Sequence, residues 1–193
     1  KKLVDAYHRG KISYKDATVI NLDEYSPLDP QHPATYTSKM RKNFIDQVDI
    51  PPEKWHIPNS GATDRNQEAA RFERLFEDAG GVDLAVLGIG PGTTCHIGFN
   101  ERGSTIDSRV RYVSLDPQTA TENSKKFSNP KDIPAGTITQ GVANILEAEK
   151  IVLLAKGAIK AEGIRLALEG PIGSDAPASF LRYNPNTTFV LDT

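Results

Sequence analysis

The side chains able to do chemistry fall in a few short stretches. VINLDEY (19–25) is a β-branched run that ends in two carboxylates, Asp23 and Glu24. LGIGPGTTCHIGFNE (87–101) passes from an apolar run through glycines to Cys95 and His96, and then to Glu101. GAIKA (157–161) carries Lys160, with Lys156 just before it, and ENSKKF (122–127) carries Lys125 and Lys126. Asp23 at a strand end has two readings. It can form an Asx-turn or cap a helix, or it can be a general base. A partly desolvated carboxylate has a raised pKa and can take a proton from carbon next to a carbonyl.

His96 and Glu101 invite a similar weighing. A lone histidine is often a satisfied polar residue, but one oriented by a carboxylate passes protons near neutral pH, since its unperturbed pKa is ~6.5. Zinc would want two histidines on one helix face or Cys/His pairs at metal spacing. His8, His32 and His56 are scattered, so no metal is expected. Cys95 beside His96 suggests a thiolate, but neighbours on an extended chain point apart and make a poor nucleophile–base pair. A small buried thiol is the expectation. The GIGPG turn lacks the third glycine of a dinucleotide fingerprint. Gly88 and Gly90 instead let backbone N–H groups approach a small anion or sugar oxygen. Lys160 is either a solvated charge or, at a strand-to-helix junction, a point charge for a phosphate.

These residues need elements to hold them. ATVINL (17–22) reads as a strand, followed by a loop from Asp23 through a proline-rich stretch. Tyr36, Met40 and Phe44 share a helical spacing, which predicts a helix over 34–46. Thr63 or Asp64 caps a helix over 65–78, with Ala69, Phe72, Phe76 and Ala79 on its apolar face. VDLAVLGIG (82–90) and IVLLAKG (151–157) each carry a continuous apolar run, which predicts strands covered on both faces. RVRYVSL (109–115) and TTFVLD are further strands. TITQGVANILEAE is a strand end and then a helix, and IKAEGIRLALEG is a helix ended by Gly170. Residues 1–9 read as the tail of a helix. Strands alternating with helices imply one α/β domain over 1–193, with a mostly parallel sheet between helices. Ligands in such sheets bind beyond the carboxyl ends of the strands. Asp23, His96 and Lys160 are expected to converge on that rim.

Composition narrows the class. The 193 residues are 38% hydrophobic and 25% charged, with a formal net charge of −2. That is a globular chain, with no basic surface for nucleic acid and no Lys/Arg run for a membrane. No apolar stretch approaches the ~18 residues of a membrane helix. The one cysteine fits a reducing compartment, and a cytoplasmic location is expected.

VINLDEY, HPATY, LGIGP…HIGFNE and GAIKA, in this order, resemble the glucosamine-6-phosphate deaminase family. That family carries N-[LM]-D-E-Y at a strand end, then H-P-x-S-Y, then G-[IV]-G-x-[DN]-G-H-I-[AG]-F-N-E-P. The resemblance runs through nearly the whole chain. It implies a three-layer α/β/α sandwich with a Rossmann-like sheet, here without its N-terminal βα elements, phosphate loop or C-terminal tail. It also implies conversion of glucosamine 6-phosphate to fructose 6-phosphate and ammonia, with no cofactor. By the resemblance, Asp23 takes the C2 proton, His96 opens the ring, Glu101 orients His96 and Lys160 binds phosphate. The sister 6-phosphogluconolactonases share the fold but lack HIGFNE.

This chain departs from the family pattern at the turn before His96, which is two residues longer. Thr94 stands where the family has Asp or Asn, and Cys95 where it has Gly. Arg102 replaces a proline. Lys125 stands for the arginine of N-[SA]-R, losing bidentate contact to phosphate. An impaired enzyme, an altered substrate, and compensation by Thr94 or Cys95 all fit. So does the rival class, a sugar-phosphate-binding regulator without turnover. Either a monomer or a homo-oligomer fits. Arg111 is followed two residues on by Val113 rather than the lysine of the allosteric members, which favours no allosteric site.

Overall fold

The structure is a computed structural model that describes residues 2–115, 117–124 and 127–192. In chain order the helices are α1 (Lys2–His8), α2 (Tyr36–Asn43), α3 (Arg65–Asp78), α4 (Pro117–Ser124), α5 (Val142–Leu146) and α6 (Ala161–Glu169). The strands are β1 (Val19–Ile20), β2 (Asp23–Ser26), β3 (Trp55–His56), β4 (Leu84–Leu87), β5 (Arg111–Ser114), β6 (Gly136–Thr139), β7 (Lys150–Ala155) and β8 (Thr187–Leu191). Two compact units form, one from residues 1–68 and 114–138, the other from 69–113 and 139–193.

In the first unit β1 runs parallel to β3, pairing Val19 with Trp55 and Ile20 with His56. The extended chain does not end at Leu22 as expected. It resumes as β2, so the loop begins after Ser26 and Asp23 opens a strand rather than following one. Burial on both faces explains the gain: along β2, Glu24, Tyr25 and Ser26 are all buried, and Thr137 of β6 donates its hydroxyl to the Glu24 carbonyl at 2.9 Å. Such inward anchoring stabilises a strand that local propensity alone would not form. The helix expected over 34–46 is shorter. Thr35 caps it, accepting from the Ser38 N–H, and Phe44 leaves helical geometry before a 3-10 turn over Ile45–Gln47.

In the second unit β4, β7 and β8 make an all-parallel sheet. Leu84 pairs with Lys150, Leu87 with Leu153, and Leu154 with Val190. α3 has the expected bounds, and Ala69, Phe72 and Phe76 are buried along it, although Ala79 is exposed. The cap is Asp64, whose carboxylate accepts from the N–H groups of Asn66 and Gln67. The inner face of the sheet carries Leu87, Ile151 and Leu153, each 2% exposed or less. The other face differs from expectation. Leu84, Val86, Leu154 and Val190 are about half exposed, so one side of these apolar strands is uncovered among the described residues. PASFLRY forms a 3-10 helix (Pro177–Tyr183) with its first five residues buried, an element the sequence pattern did not suggest. No helix among the described residues is long and apolar enough to cross a membrane.

Candidate active site

The parallel register places the carboxyl ends of β4 and β7 at the same edge of their sheet. The chain leaves β4 through Gly88, Ile89 and Gly90, makes a 3-10 turn over Gly92–Thr94 and arrives at His96. It leaves β7 through Lys156 and Gly157 and reaches Lys160 at the start of α6. One bond joins these exits, from Lys160 Nζ to the Ile89 carbonyl, and within the β4 exit Gly90 N–H donates to the His96 carbonyl at 2.8 Å.

His96 Nδ1 lies 2.9 Å from Glu101 Oε2, with both side chains under one-fifth exposed. In that geometry the carboxylate accepts the Nδ1 proton and leaves Nε2 to exchange protons with a ligand. The Phe99 ring lies nearly parallel to the imidazole, with centroids 6.3 Å apart. Glu101 is itself held from below. Its neighbour Asn100 is fully buried, donates to the carbonyls of Ile97 and Gln140, and accepts from Arg111 at 2.9 Å. Arg111 also donates to Ser104, and burial lowers its pKa. This brace was not legible in the sequence, where Arg111 entered only as a possible regulatory position.

Gly90 must lack a side chain. A carbon added there would stand 2.4 Å from Thr94 Oγ1 and 2.5 Å from His96 Nδ1. Cys95 sits at φ +47°, in the left-handed region that favours glycine. This is the position where the resembling family has a glycine. Cys95 is fully buried and donates to the Gly163 carbonyl, and burial pushes its pKa up to about 11. The thiol is therefore a buried small group, as expected, and is not poised to attack. Thr94 donates its hydroxyl to the Pro91 carbonyl at 2.8 Å. Among the described residues no group of three or more His, Cys, Asp or Glu side chains is placed to hold a metal.

The sequence-chosen residues thus fall into two sets. Gly88, Gly90, Thr94, His96, Glu101 and Lys160 belong to the second unit, around the exits of β4 and β7. Asp23 belongs to the first unit, partly exposed, where its charge acts on two tyrosines. Tyr25 is pushed up to about 12, first by burial and then by Asp23 and Glu24 against an opposing bond from Tyr36. Tyr36 is pushed up further, by burial and then by Asp23. Lys125 lies outside the described residues. Sequence reasoning passed over Glu24. It is fully buried and accepts from Tyr25 N–H, Tyr36 N–H, and the N–H and hydroxyl of Thr37, at 2.7–2.9 Å. Its place beside Asp23 in a strand, facing the opposite way, was the available signal.

Comparison with known proteins supplies context for this geometry. Residues 1–190 match the family model described as glucosamine-6-phosphate isomerases/6-phosphogluconolactonase. The chain is 43% identical over 190 residues to the glucosamine-6-phosphate deaminase of Rhodopirellula baltica, covering 98% of this chain and 75% of that protein. It is 39% identical over 192 residues to the glucosamine-6-phosphate deaminase of Thermoanaerobacter pseudethanolicus, again covering 75% of that protein. A solved monomeric glucosamine-6-phosphate deaminase superposes with a TM-score of 0.94 at 36% identity, covering 99% of this chain and 78% of that one. The 6-phosphogluconolactonase of Thermotoga maritima superposes at a TM-score of 0.72 over 97% of this chain and 79% of its own, but at 18% identity it shares only the fold.

Proposed function

The chain belongs to the glucosamine-6-phosphate isomerase/6-phosphogluconolactonase family, and from that premise we propose that it is a glucosamine-6-phosphate deaminase. The reaction is an aldose–ketose isomerisation with loss of the amine. Glucosamine 6-phosphate and water give fructose 6-phosphate and ammonia. The relatives at 38–43% identity support the deaminase over the lactonase branch. The single observation that carries the reading is the His96–Glu101 pair, 2.9 Å apart beyond the end of β4.

The proposed roles follow from chemistry. His96, oriented by Glu101, moves a proton to and from the ring oxygen as the pyranose opens. Asp23 removes the C2 proton of the open chain to give an enolamine, C1 takes up a proton to leave an imine at C2, and water hydrolyses that imine to the ketose with release of ammonia. Lys160 contributes positive charge to the phosphate and the backbone near Gly88 faces sugar oxygens, whereas the expected contact from Gly90 is dropped, because its N–H is already committed to the His96 carbonyl. A carbon acid next to a carbonyl-type centre needs only a placed base and a proton shuttle, so the proposal invokes no cofactor. A cytoplasmic setting is proposed from the lone, unpaired cysteine.

The test is formation of ammonia and fructose 6-phosphate from glucosamine 6-phosphate, with Asp23→Asn alongside. Turnover that this variant abolishes, with sugar-phosphate binding retained, supports the assignment. Unchanged turnover in the variant removes Asp23 as the base. No wild-type turnover, with the sugar phosphate still raising the Tm, identifies a binding protein instead.

A further inference from the structure

We propose that Thr94 is a positioning residue for His96 that acts by restraining the imidazole and not by moving a proton. The inference rests on the reading of His96 as the ring-opening group. Thr94 closes its turn twice. Its N–H reaches the Pro91 carbonyl at 3.3 Å, and its hydroxyl donates to the same oxygen at 2.8 Å. A hydroxyl has one proton to give. With that proton committed to Pro91, Thr94 turns only lone pairs and a methyl group toward its other neighbours.

The neighbour that matters is the imidazole. A carbon placed on Gly90 would collide with Thr94 Oγ1 and with both Nδ1 and Cε1 of His96, all within 2.6 Å. Hydroxyl and ring therefore border one small volume, which exists because residue 90 is glycine. The ring is restrained elsewhere by Glu101 at Nδ1 and by the face of Phe99. Thr94 completes this enclosure on the side where the turn is two residues longer than the family pattern. It brings no charge, so it restrains the ring without becoming a second acid. Cys95 does not share the task. Its Sγ is committed to the Gly163 carbonyl, and the residue is fully buried.

The hydroxyl is the group under test. Thr94→Val keeps the branched shape and deletes the bond to Pro91, whereas Thr94→Ser keeps the bond and deletes a methyl group. Two readouts are taken on the whole chain: kcat and KM with glucosamine 6-phosphate, and the ring-nitrogen resonances of His96. Thr94→Val is expected to lower kcat by about tenfold with KM unchanged, the size of loss that a slightly misplaced group produces. Its His96 ring signals are expected to broaden or double, and Thr94→Ser is expected to match wild type in both readouts. Wild-type kcat and a single His96 ring species in Thr94→Val overturn the proposal. Equal losses in the Val and Ser variants overturn it too, since they would assign the effect to the methyl group. Should Thr94→Val not fold, Thr94→Ala takes its place in the same comparison with Ser. If the wild-type chain does not turn over, the deaminase reading fails, while the ring resonances still decide the role of Thr94.

Discussion

The backbone N–H of Gly90 donates to the carbonyl of His96 across 2.8 Å, while the space above Gly90 is filled by the His96 ring. One residue thus fixes both the main chain and the side chain of the proposed proton shuttle. A methyl group at position 90 would overlap the imidazole by about an ångström or more, judged against ordinary van der Waals contact. Gly90→Ala is expected to leave the sheet intact, because the residue lies past the end of β4, and to displace the ring. A loss in kcat of about 10²-fold is expected, with circular dichroism unchanged. Near-normal kcat in this variant would show that the ring has more freedom than the contact distances allow.

Glu101 offers a cleaner probe of charge. Glu101→Gln keeps the size and one oxygen for His96 Nδ1, but removes the negative charge that stabilises an imidazolium. The neighbouring Asn100–Arg111 brace does not depend on that charge, since it runs through Asn100 to the carbonyls of Ile97 and Gln140. The fold should therefore survive. A fall in kcat of about 10²–10⁴-fold is expected, by analogy with triad carboxylates. Steady-state kinetics beside a melting curve separates the outcomes. An unchanged kcat would mean that the carboxylate only fills space.

Much of this was legible in the residues. α3 could be placed because an Asp cap, an apolar face and a Gly-Gly stop all agree over residues 64–81. β4, β7 and β8 were visible as apolar runs, since a parallel strand needs no alternation to announce itself. The site residues of the second unit came from HIGFNE, its turn and GAIKA. Three things were hidden for physical reasons. β2 depends on long-range partners such as Thr137, which no local window contains. The buried 3-10 segment at PASFLRY carries a proline and no helical period. The half-open sheet face was hidden because an apolar run reports what a strand could bury rather than what covers it.

Cys95 should behave as a silent thiol. It is fully buried, its Sγ faces the Gly163 carbonyl, and its pKa is pushed up from 9.0 to about 11 by burial. A disulfide reagent at neutral pH should leave the native protein unmodified and label one thiol after urea unfolding. The same shift fixes a pH dependence. The folded state holds the thiol proton more tightly than the unfolded state, so the neutral thiol favours folding fully below pH 9, and that contribution fades as pH rises through about 11. Tyr25, pushed up to about 12, adds to the trend at the alkaline end. Stability should fall across this window, and Cys95→Ala should flatten the first part of the fall. Rapid labelling of the native protein at neutral pH would contradict the burial on which this rests.

Glu24 makes the strongest stability prediction. Its carboxylate is wholly removed from water and accepts four hydrogen bonds, two of them from the first N–H groups of α2. Those groups belong to Tyr36 and Thr37, and the Tyr36 ring stacks on Tyr25 with centroids 5.0 Å apart. Glu24→Ala would strand the buried N–H of Tyr25 and the part-buried donors of Tyr36 and Thr37, and a stranded buried donor costs about 1–3 kcal/mol. Part of that cost is offset, because the burial of one carboxylate is itself unfavourable. A net loss of about 3–5 kcal/mol is expected, read as a lower urea midpoint with unchanged slope. Glu24→Gln is expected to lose less, since its remaining oxygen still accepts from one pair of donors while its amide faces the other pair. A Glu24→Ala protein within about 1 kcal/mol of wild type would mean that water enters to satisfy the stranded donors, and that β2 and α2 do not depend on this carboxylate for their junction.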